Sequence, residues 1–330
     1  MKQLTILVFE YISGGGMAGE ALPASLLAEG RMMLQALLGE LKRIPQLRLR
    51  VLLDQRCDLA IDSEHAELVR IGAGQDIMAL LPELLAETDL FWPIAPETGG
   101  ILSRLAQMAQ AAGIETLLSD AATLALCGDK LATYRHLTAH AIPAVETYPT
   151  EKCPDFPGRT VVKIRDGAGC QDTRVVAAGA LSAAVADLHQ PEHYVVQPFV
   201  AGRAISLSAL FKNGKGYFLT CNQQQIVLAG QRFSLHGCLV NIHQQREADY
   251  RHLVGRIAEA LPGLWGYAGI DLIEIGESEG LVLEINPRLT SSYVGIGQAI
   301  GINVAEQVLR LRQGEPIAVP TRQQCVEVTI

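Results

Sequence analysis

The first third of the chain alternates apolar runs of strand length with longer stretches of helical periodicity. Leu4 to Phe9, Leu47 to Leu53 and Leu90 to Ile94 are the runs. Leu22 to Leu41, Asp76 to Ala86 and Leu102 to Ala112 carry apolar residues at helical spacing. This order predicts an α/β unit over residues 1–118, a parallel sheet with helices on its faces. Ligands of such sheets sit beyond the carboxyl ends of the strands. Those tips are Glu10 to Gly16, Asp54, and Pro93 to Gly100.

After Ser119 the pattern becomes mixed, which predicts α+β structure. Ser119-Asp120 reads as a helix N-cap, followed by an Ala/Leu stretch that holds Asp129 and Lys130. Thr160 to Ile164 is a strand carrying Lys163, Arg165 to Asp172 a glycine loop, and Arg174 to Ala178 a return segment. A loop of this kind exposes backbone N–H groups without side-chain bulk, as closing over a triphosphate requires; an ordinary hairpin is the plainer alternative. Leu181 to Leu188 predicts a helix, and Tyr194 to Val200 an apolar strand broken by Pro198. Residues 205–211 and 216–221 predict an antiparallel pair, Tyr250 to Leu261 a helix, and Ser291 to Gln307 a loop and helix.

Chemistry concentrates between Gly266 and Arg288, two apolar strands joined by a Gly/Glu/Ser turn. With Glu277 and Ser278 at the centre of the turn, Asp271 falls opposite Glu284. Glu284 and Asn286 are two apart and leave the same face of their strand. Two carboxylates and an amide would converge among Ile, Leu and Val, a hard anionic patch suited to Mg²⁺ when nucleotide phosphates complete its coordination. A solvated hairpin face with ordinary charges is the competing reading.

Composition narrows the choices. The 330 residues exceed one average domain, so two or three lobes are expected. A net charge of −8 and a pI near 5.5 argue against nucleic acid or an anionic membrane as partner. No uncharged run approaches the ~18 residues of a membrane span, and the N-terminal apolar run ends at Glu10 like a first strand, not a signal peptide. Seven scattered cysteines without a Cys-x-x-Cys pair fit reduced thiols in the cytoplasm.

Two further patterns carry little weight. Gly14 to Gly19 satisfies G-x-G-x-x-G after a strand, but the acid ending the second strand, Asp54, lies 35 residues past Gly19. A dinucleotide fingerprint places its acid ~20 residues on. His136 and His140 are four apart and could share a helix face, yet no further ligands are suggested nearby, which favours a packing or surface role.

The order Lys130, Lys163 with its glycine loop, Gln197-Pro-Phe-Val-Ala-Gly202, Asp271 and Glu284-Ile-Asn-Pro-Arg288 resembles the ATP-grasp superfamily of carboxylate–amine ligases over residues 119–300. With Val8 to Gly16, Ile94 to Thr98 and Arg288 to Tyr293 added, the chain is most similar to the tyramine–glutamate ligase branch from methanofuran biosynthesis. The resemblance implies a pre-ATP-grasp substrate domain at 1–118, a central lid lobe at 119–199 and a metal-bearing lobe at 200–330. It implies ATP with Mg²⁺, Mn²⁺ being an alternative, small amino-acid and amine substrates, and leaves a homodimer open. Lys130 and Lys163 would contact phosphates, Lys163 also lying near the adenine, and the loop with Gly167, Ala168 and Gly169 would close over them. Gln197, Pro198, Phe199 and Val200 would form the hinge presenting backbone groups to the adenine. Asp271, Glu284 and Asn286 would hold the metal, and Arg288 would steady the transferred phosphoryl group. Glu10, Ser13 and Glu97, together with Arg288, would meet the substrates.

Two departures stand out. Many relatives carry a ribose-binding Glu two residues after the hinge glycine, where this chain has Ala204; and Gly269 replaces an Arg found before the metal Asp in D-alanine ligase relatives. The implied reaction is ADP-forming and runs through an acylphosphate, joining glutamate to tyramine, tyrosine or a similar amine. A ligase of other amino-acid or peptide substrates, a non-catalytic nucleotide sensor and an NAD(P)-dependent oxidoreductase resting on Gly14 to Gly19 are the rival readings.

Overall fold

The computed structural model describes residues 3–59, 66–242, 246–276 and 279–330. Among these, the chain forms a five-stranded and a ten-stranded sheet.

The first sheet follows the predicted alternation. β1 (Leu4–Glu10) lies at its centre, followed by α1 (Ala24–Leu41), β2 (Leu47–Asp54), β3 (Ala66–Ile71), α2 (Ile77–Ala86), β4 (Leu90–Ile94), α3 (Ile101–Ala111) and β5 (Glu115–Thr116). The order is β3-β2-β1-β4-β5, parallel throughout. Both faces are covered, which is why β1, β2 and β4 read as continuous apolar runs. Leu7, Phe9, Leu52 and Phe91 pack under α2 and α3. Ile6, Val8, Val51 and Trp92 pack with Leu34 and Leu37 of α1 on the other face. The hydrophobic pattern does not mark β3: its alternating charges suit a sheet edge, and Arg50 and Arg48 of β2 pair with its Glu67.

Asp120 caps α4 (Ala121–Gly128) by accepting from the Thr123 amide, as its sequence suggests. The helical stretch does not run on. It breaks at Asp129, whose carboxylate accepts from Leu131 N and Ala132 N and starts α5 (Lys130–Ala139). Next come β6 (Tyr148–Pro149), β7 (Thr160–Ile164), β8 (Arg174–Val176), α6 (Leu181–Ala186) and β9 (Tyr194–Pro198). The chain continues through β10 (Arg203–Lys212), β11 (Lys215–Ala229), β12 (Arg232–Val240), α7 (Glu247–Ala260), β13 (Gly266–Ile275), β14 (Glu279–Asn286), α8 (Tyr293–Ile300), α9 (Val304–Gln313) and β15 (Val326–Thr329). The second sheet runs β14-β13-β10-β11-β12-β8-β7-β9-β6, with β15 on β12.

Among the described residues, β8 and β12 share one bridge pair, Arg174 opposite Arg232, beside a hydrogen bond from Val175 N to Gln231 O of 2.8 Å. The outer strands β6 to β9 are therefore joined to the rest of the sheet along a short seam. β9 passes to β10 through residues 199–202, which overlap the expected hinge, Gln197 to Val200, at Phe199 and Val200. Gly202 is needed there, because a Cβ would lie 2.5 Å from Glu274 O.

Three expectations need adjustment. β11 extends to Ala229, well beyond 221, and β12 was not marked by the pattern because its exposed half is polar. Residues 291–307 hold a loop and two helices, split by the left-handed Gly301. The turn centre at Glu277 and Ser278 lies outside the described residues.

Helices on the two sheets are tied by a half-buried carboxylate. Tyr293 Oη of α8 donates to Glu40 Oε2 of α1 at 2.5 Å, and Ala305 N of α9 donates to the same oxygen at 2.9 Å. Tyr293→Phe leaves a half-buried acceptor short of one donor, so a loss of about 1–3 kcal/mol is expected in urea unfolding. A variant as stable as the parent would show that this contact does not hold α1 to α8.

Candidate active site

The hairpin expected to hold a metal has the predicted register at its carboxylate end. Gly269 faces Asn286 and Asp271 faces Glu284; a bulge then shifts the ladder so that Leu272 faces Val282. The bulge leaves Leu283 unmatched and separates the carboxylate end from the turn. Gln224 Nε2 donates to Asp271 Oδ1 at 3.1 Å and Asn286 Nδ2 to Asp271 Oδ2 at 3.1 Å.

Adjacent carboxylates in a buried site cannot both ionise cheaply. Burial first, and then the Glu284 charge, push Asp271 up to about 8. Burial also works against the charge of Glu284, but Lys130 and Lys163 outweigh it and hold that group at about 2. Of the two, Asp271 is thus the group pushed toward its protonated form and Glu284 the one held as the anion.

Lys130 occupies the first turn of α5. Its Nζ donates to Gly167 O at 2.5 Å and lies 3.2 Å from Glu284 Oε2. Its backbone is pinned by Lys130 N to Arg165 O at 3.0 Å, while Arg165 clasps Asp129 through Nε at 2.8 Å and Nη2 at 2.5 Å. Lys163 projects from β7 into the same space; burial lowers it to about 8, with Glu284 opposing. Two lysines thus face two acids beneath the glycine loop, and the ammonium of Lys130 is held by Glu284 and the Gly167 carbonyl.

Beside them lies a cleft of about 410 Å³. Lys130, Lys163, Gly167 and Glu284 line one end; Gln197, Pro198, Phe199 and Val200 line the rest together with Ile226, Phe233 and Ile273. Gln197 presents backbone to it, since its side chain is buried and donates to Thr147 Oγ1 at 2.8 Å. Ala204 also faces the cleft, as do Arg203, Gln223 and Thr173.

Arg288 is held by an acid 191 residues away. Its Nε and Nη2 donate to Glu97 Oε1 and Oε2, each at 2.9 Å. Burial disfavours its charge, but Glu97 more than compensates and keeps it a firm cation. Glu97 follows β4, so this pair joins a tip of the first sheet to the hairpin. A second link runs from that tip to the glycine loop, where Asp166 Oδ2 accepts from Gly99 N at 2.8 Å.

Glu10 and Ser13, expected to meet substrate, are turned upon each other. Glu10 accepts from Ser13 N at 2.7 Å, Ser13 Oγ at 2.6 Å and Ile12 N at 3.2 Å. Its carboxylate packs on Gly30 of α1, where a Cβ would come within 2.5 Å. Both residues are buried and brace the β1–α1 loop. The glycine run there spends its amides internally, Gly14 N on Glu10 O and Gly16 N on Tyr11 O. Asp54 closes on Arg56 at 2.7 Å. His136 Nε2 lies 2.8 Å from Ala260 O, and His140 Nδ1 2.8 Å from His136 O, so both rings serve packing.

Several groups in the site escaped notice in the sequence. Glu29 of α1, Gln224, Ser206 and Ser291 line a second cavity of about 110 Å³ with Asp271, Glu284, Asn286 and Arg288. Glu29 sits on a helix face three residues from Leu26 and gives no motif; only the topology brings it to the hairpin.

An ATP-grasp domain model matches residues 127–292 and a pre ATP-grasp 3 domain model residues 47–124. The chain belongs to the ATP-grasp family. It is similar in structure to an ATP-grasp superfamily protein from Archaeoglobus fulgidus, at 20% identity and TM-score 0.72, covering 99% of each chain. The biotin carboxylase domain of Hydrogenobacter thermophilus 2-oxoglutarate carboxylase, solved with MgADP, ADP and bicarbonate, gives a TM-score of 0.73 at 13% identity, covering 97% of this chain and 71% of that one. An L-amino acid ligase from Bacillus licheniformis gives 0.68 at 16% identity, covering 94% of this chain and 74% of that one. At these identities the likeness is one of fold. No curated protein matches the chain in sequence. Among the described residues, no helix is long and apolar enough to cross a membrane.

The donor set of the hairpin fits a hard divalent cation: oxygen atoms only, two of them carboxylates whose mutual repulsion a cation would relieve. Loading it would displace the proton on the acid pair. Mg²⁺ titrated at pH 7 in buffers of different ionisation enthalpy is expected to release about one proton, with affinity rising as the pH approaches 8. Asp271→Asn should abolish the release; an unchanged proton count in that variant would remove the pair from the metal site.

Proposed function

We propose that the chain is an ATP-dependent, ADP-forming carboxylate–amine ligase. The observation that carries this is the meeting, at one end of a nucleotide-sized cleft, of a half-buried acid pair with two buried lysines beneath a glycine loop. In this reading Lys130 and Lys163 bind phosphates, the loop from Gly167 to Gly169 closes over them, and backbone groups of Gln197 to Val200 meet the adenine. Asp271, Glu284 and Asn286 would hold Mg²⁺, which supplies charge neutralisation as the phosphoryl group moves.

The protein's remaining work is positioning. A substrate carboxylate oxygen is directed at the γ-phosphorus; the P–O bond to ADP breaks and an acylphosphate forms. Arg288, oriented by Glu97, offers a fixed cation beside that step. The amine then attacks the acyl carbon and phosphate departs, so ordered closure of the loop protects the acylphosphate from water. No side-chain nucleophile is required.

The finer reading takes glutamate as acyl donor and tyramine, tyrosine or a similar aromatic amine as acceptor, as in methanofuran-type cofactor synthesis. It rests on the likeness of the loops at Val8 to Gly16, Ile94 to Thr98 and Arg288 to Tyr293. The division into a substrate domain at 1–118, a lid at 119–199 and a metal-bearing lobe at 200–330 belongs to the same reading.

Purified protein with ATP, Mg²⁺, glutamate and a panel of amines is expected to release ADP and phosphate only when both acid and amine are present. Glu284→Gln combined with Asn286→Ala should lower turnover by roughly two orders of magnitude or more while leaving the fold intact. Near-parental turnover would make the cluster structural. Consumption of another amine while tyramine and tyrosine leave ATP untouched would refute the narrower assignment and keep the broader one.

A further inference from the structure

The cavity of about 110 Å³ behind the acid pair differs in chemistry from the nucleotide cleft. Glu29 of α1 enters it from the first sheet's side, Gly169 and Cys170 of the glycine loop cover it, and Arg288, Thr290, Ser291 and Ser292 close the far wall. Loop and helix are in contact range: a Cβ on Gly169 would lie 3.5 Å from Leu26 Cδ2. Leu26 and Glu29 are three apart and share a helix face. The cavity is thus covered by the segment that the ligase reading closes over ATP.

Charge in this space is uneven. The Arg288 guanidinium is matched bidentately by Glu97. Lys130 and Lys163 face the acid pair and, in the ligase reading, phosphate. Asp271 and Glu284 are taken by the divalent cation. Glu29 is left with a hydrogen bond from Ser291 and the more distant field of Arg288, and burial raises its pKa against both. A half-buried carboxylate so weakly compensated calls for a cationic ligand. With Asp271 and Glu284 given to the divalent cation in the ligase reading, Glu29 among hydroxyls would make a poor second divalent-cation site, whereas an ammonium group donates three hydrogen bonds and would find acceptors in Glu29 and in the hydroxyls of Ser291 and Thr290.

We propose that Glu29 is the recognition residue for the ammonium group of the amine substrate, received in this cavity between α1, the glycine loop and the metal hairpin. The proposal rests on the ligase reading and extends it to the second substrate: the site would hold a primary amine beside the acid pair, under the same cover that excludes water. Selectivity for an amine over the alcohol of equal shape would then come from α1 and not from the nucleotide-binding strands.

The test is calorimetric binding, without turnover, to the full chain loaded with Mg²⁺ and the β,γ-methylene analogue of ATP. Tyramine, 2-phenylethylamine and n-butylamine are each compared with the corresponding alcohol. Wild type should bind at least one amine well above its alcohol. Glu29→Gln should weaken that amine at least ~30-fold, the alcohol little, and the ATP analogue not at all; Glu29→Asp should restore part of the preference. Absence of any amine-over-alcohol preference in wild type would overturn the proposal. Equal weakening of amine, alcohol and nucleotide analogue would also overturn it, leaving Glu29 a support for Arg288. Because binding is read without catalysis, failure of ADP release in the turnover assay would strike the ligase reading independently.

Discussion

Two carboxylates that cannot both be charged organise the molecule. Asp271 and Glu284 face each other across a hairpin with apolar neighbours, and the cost of that placement is met by cations drawn from distant segments. Lys130 comes from the start of α5, Lys163 from β7, and Arg288 from the loop beyond β14 with its own counter-ion in Glu97. Removing the acids would leave the two buried lysines without the negative charge they face, while Arg288 would keep Glu97. Removing the lysines would let burial push Glu284 upward. The cluster is stable as charged chemistry only in company, and its ordinary company in this family is a polyanion with a divalent cation.

The fold explains how such distant residues meet. The five-stranded parallel sheet sends its strand tips toward the hairpin, and one of them supplies Glu97 and the Gly99 amide. The ten-stranded sheet brings β7 and β13 to the same cleft although more than a hundred residues separate them. Residues 199–202 carry the chain from one part of that sheet to the other, and Gly202 permits the backbone contact that the crossing demands.

Much of this was legible in the sequence, and the reasons are local. Thr160–Ile164 has its predicted bounds because an apolar strand is cut sharply by a glycine loop. Asp271 faces Glu284 as expected, but the turn does not set that pairing: the pairs from Ile275–Glu279 to Leu272–Val282 run one residue out of the assumed register, and the bulge at Leu283 brings Glu284 opposite Asp271. What escaped notice depends on topology. β3 and the outer half of β12 carry polar edges that blur alternation, and the break between α4 and α5 rests on one capping side chain, Asp129. Glu29 has no motif, and its role is visible only once α1 is packed beside the hairpin. Glu10 and Ser13 lie at a strand tip where ligands are expected, yet their mutual hydrogen bonds consume the groups that a ligand would need.

The short seam between β8 and β12 has a thermodynamic meaning. A long ladder would bind the outer strands into one cooperative unit with the central sheet, and opening them would cost a large share of global stability. One bridge pair with an adjacent hydrogen bond costs only about the few kcal/mol of a small number of net hydrogen bonds. Within the sheet, strands β6 to β9 are therefore coupled only weakly to the β10–β13 ladder, and the ties that hold them beside the acid pair lie elsewhere: Lys130 on Gly167 and Arg165, Arg165 on Asp129, and Asp166 on the Gly99 amide. The position of the glycine loop over the cleft thus rests on polar side-chain contacts more than on the ladder.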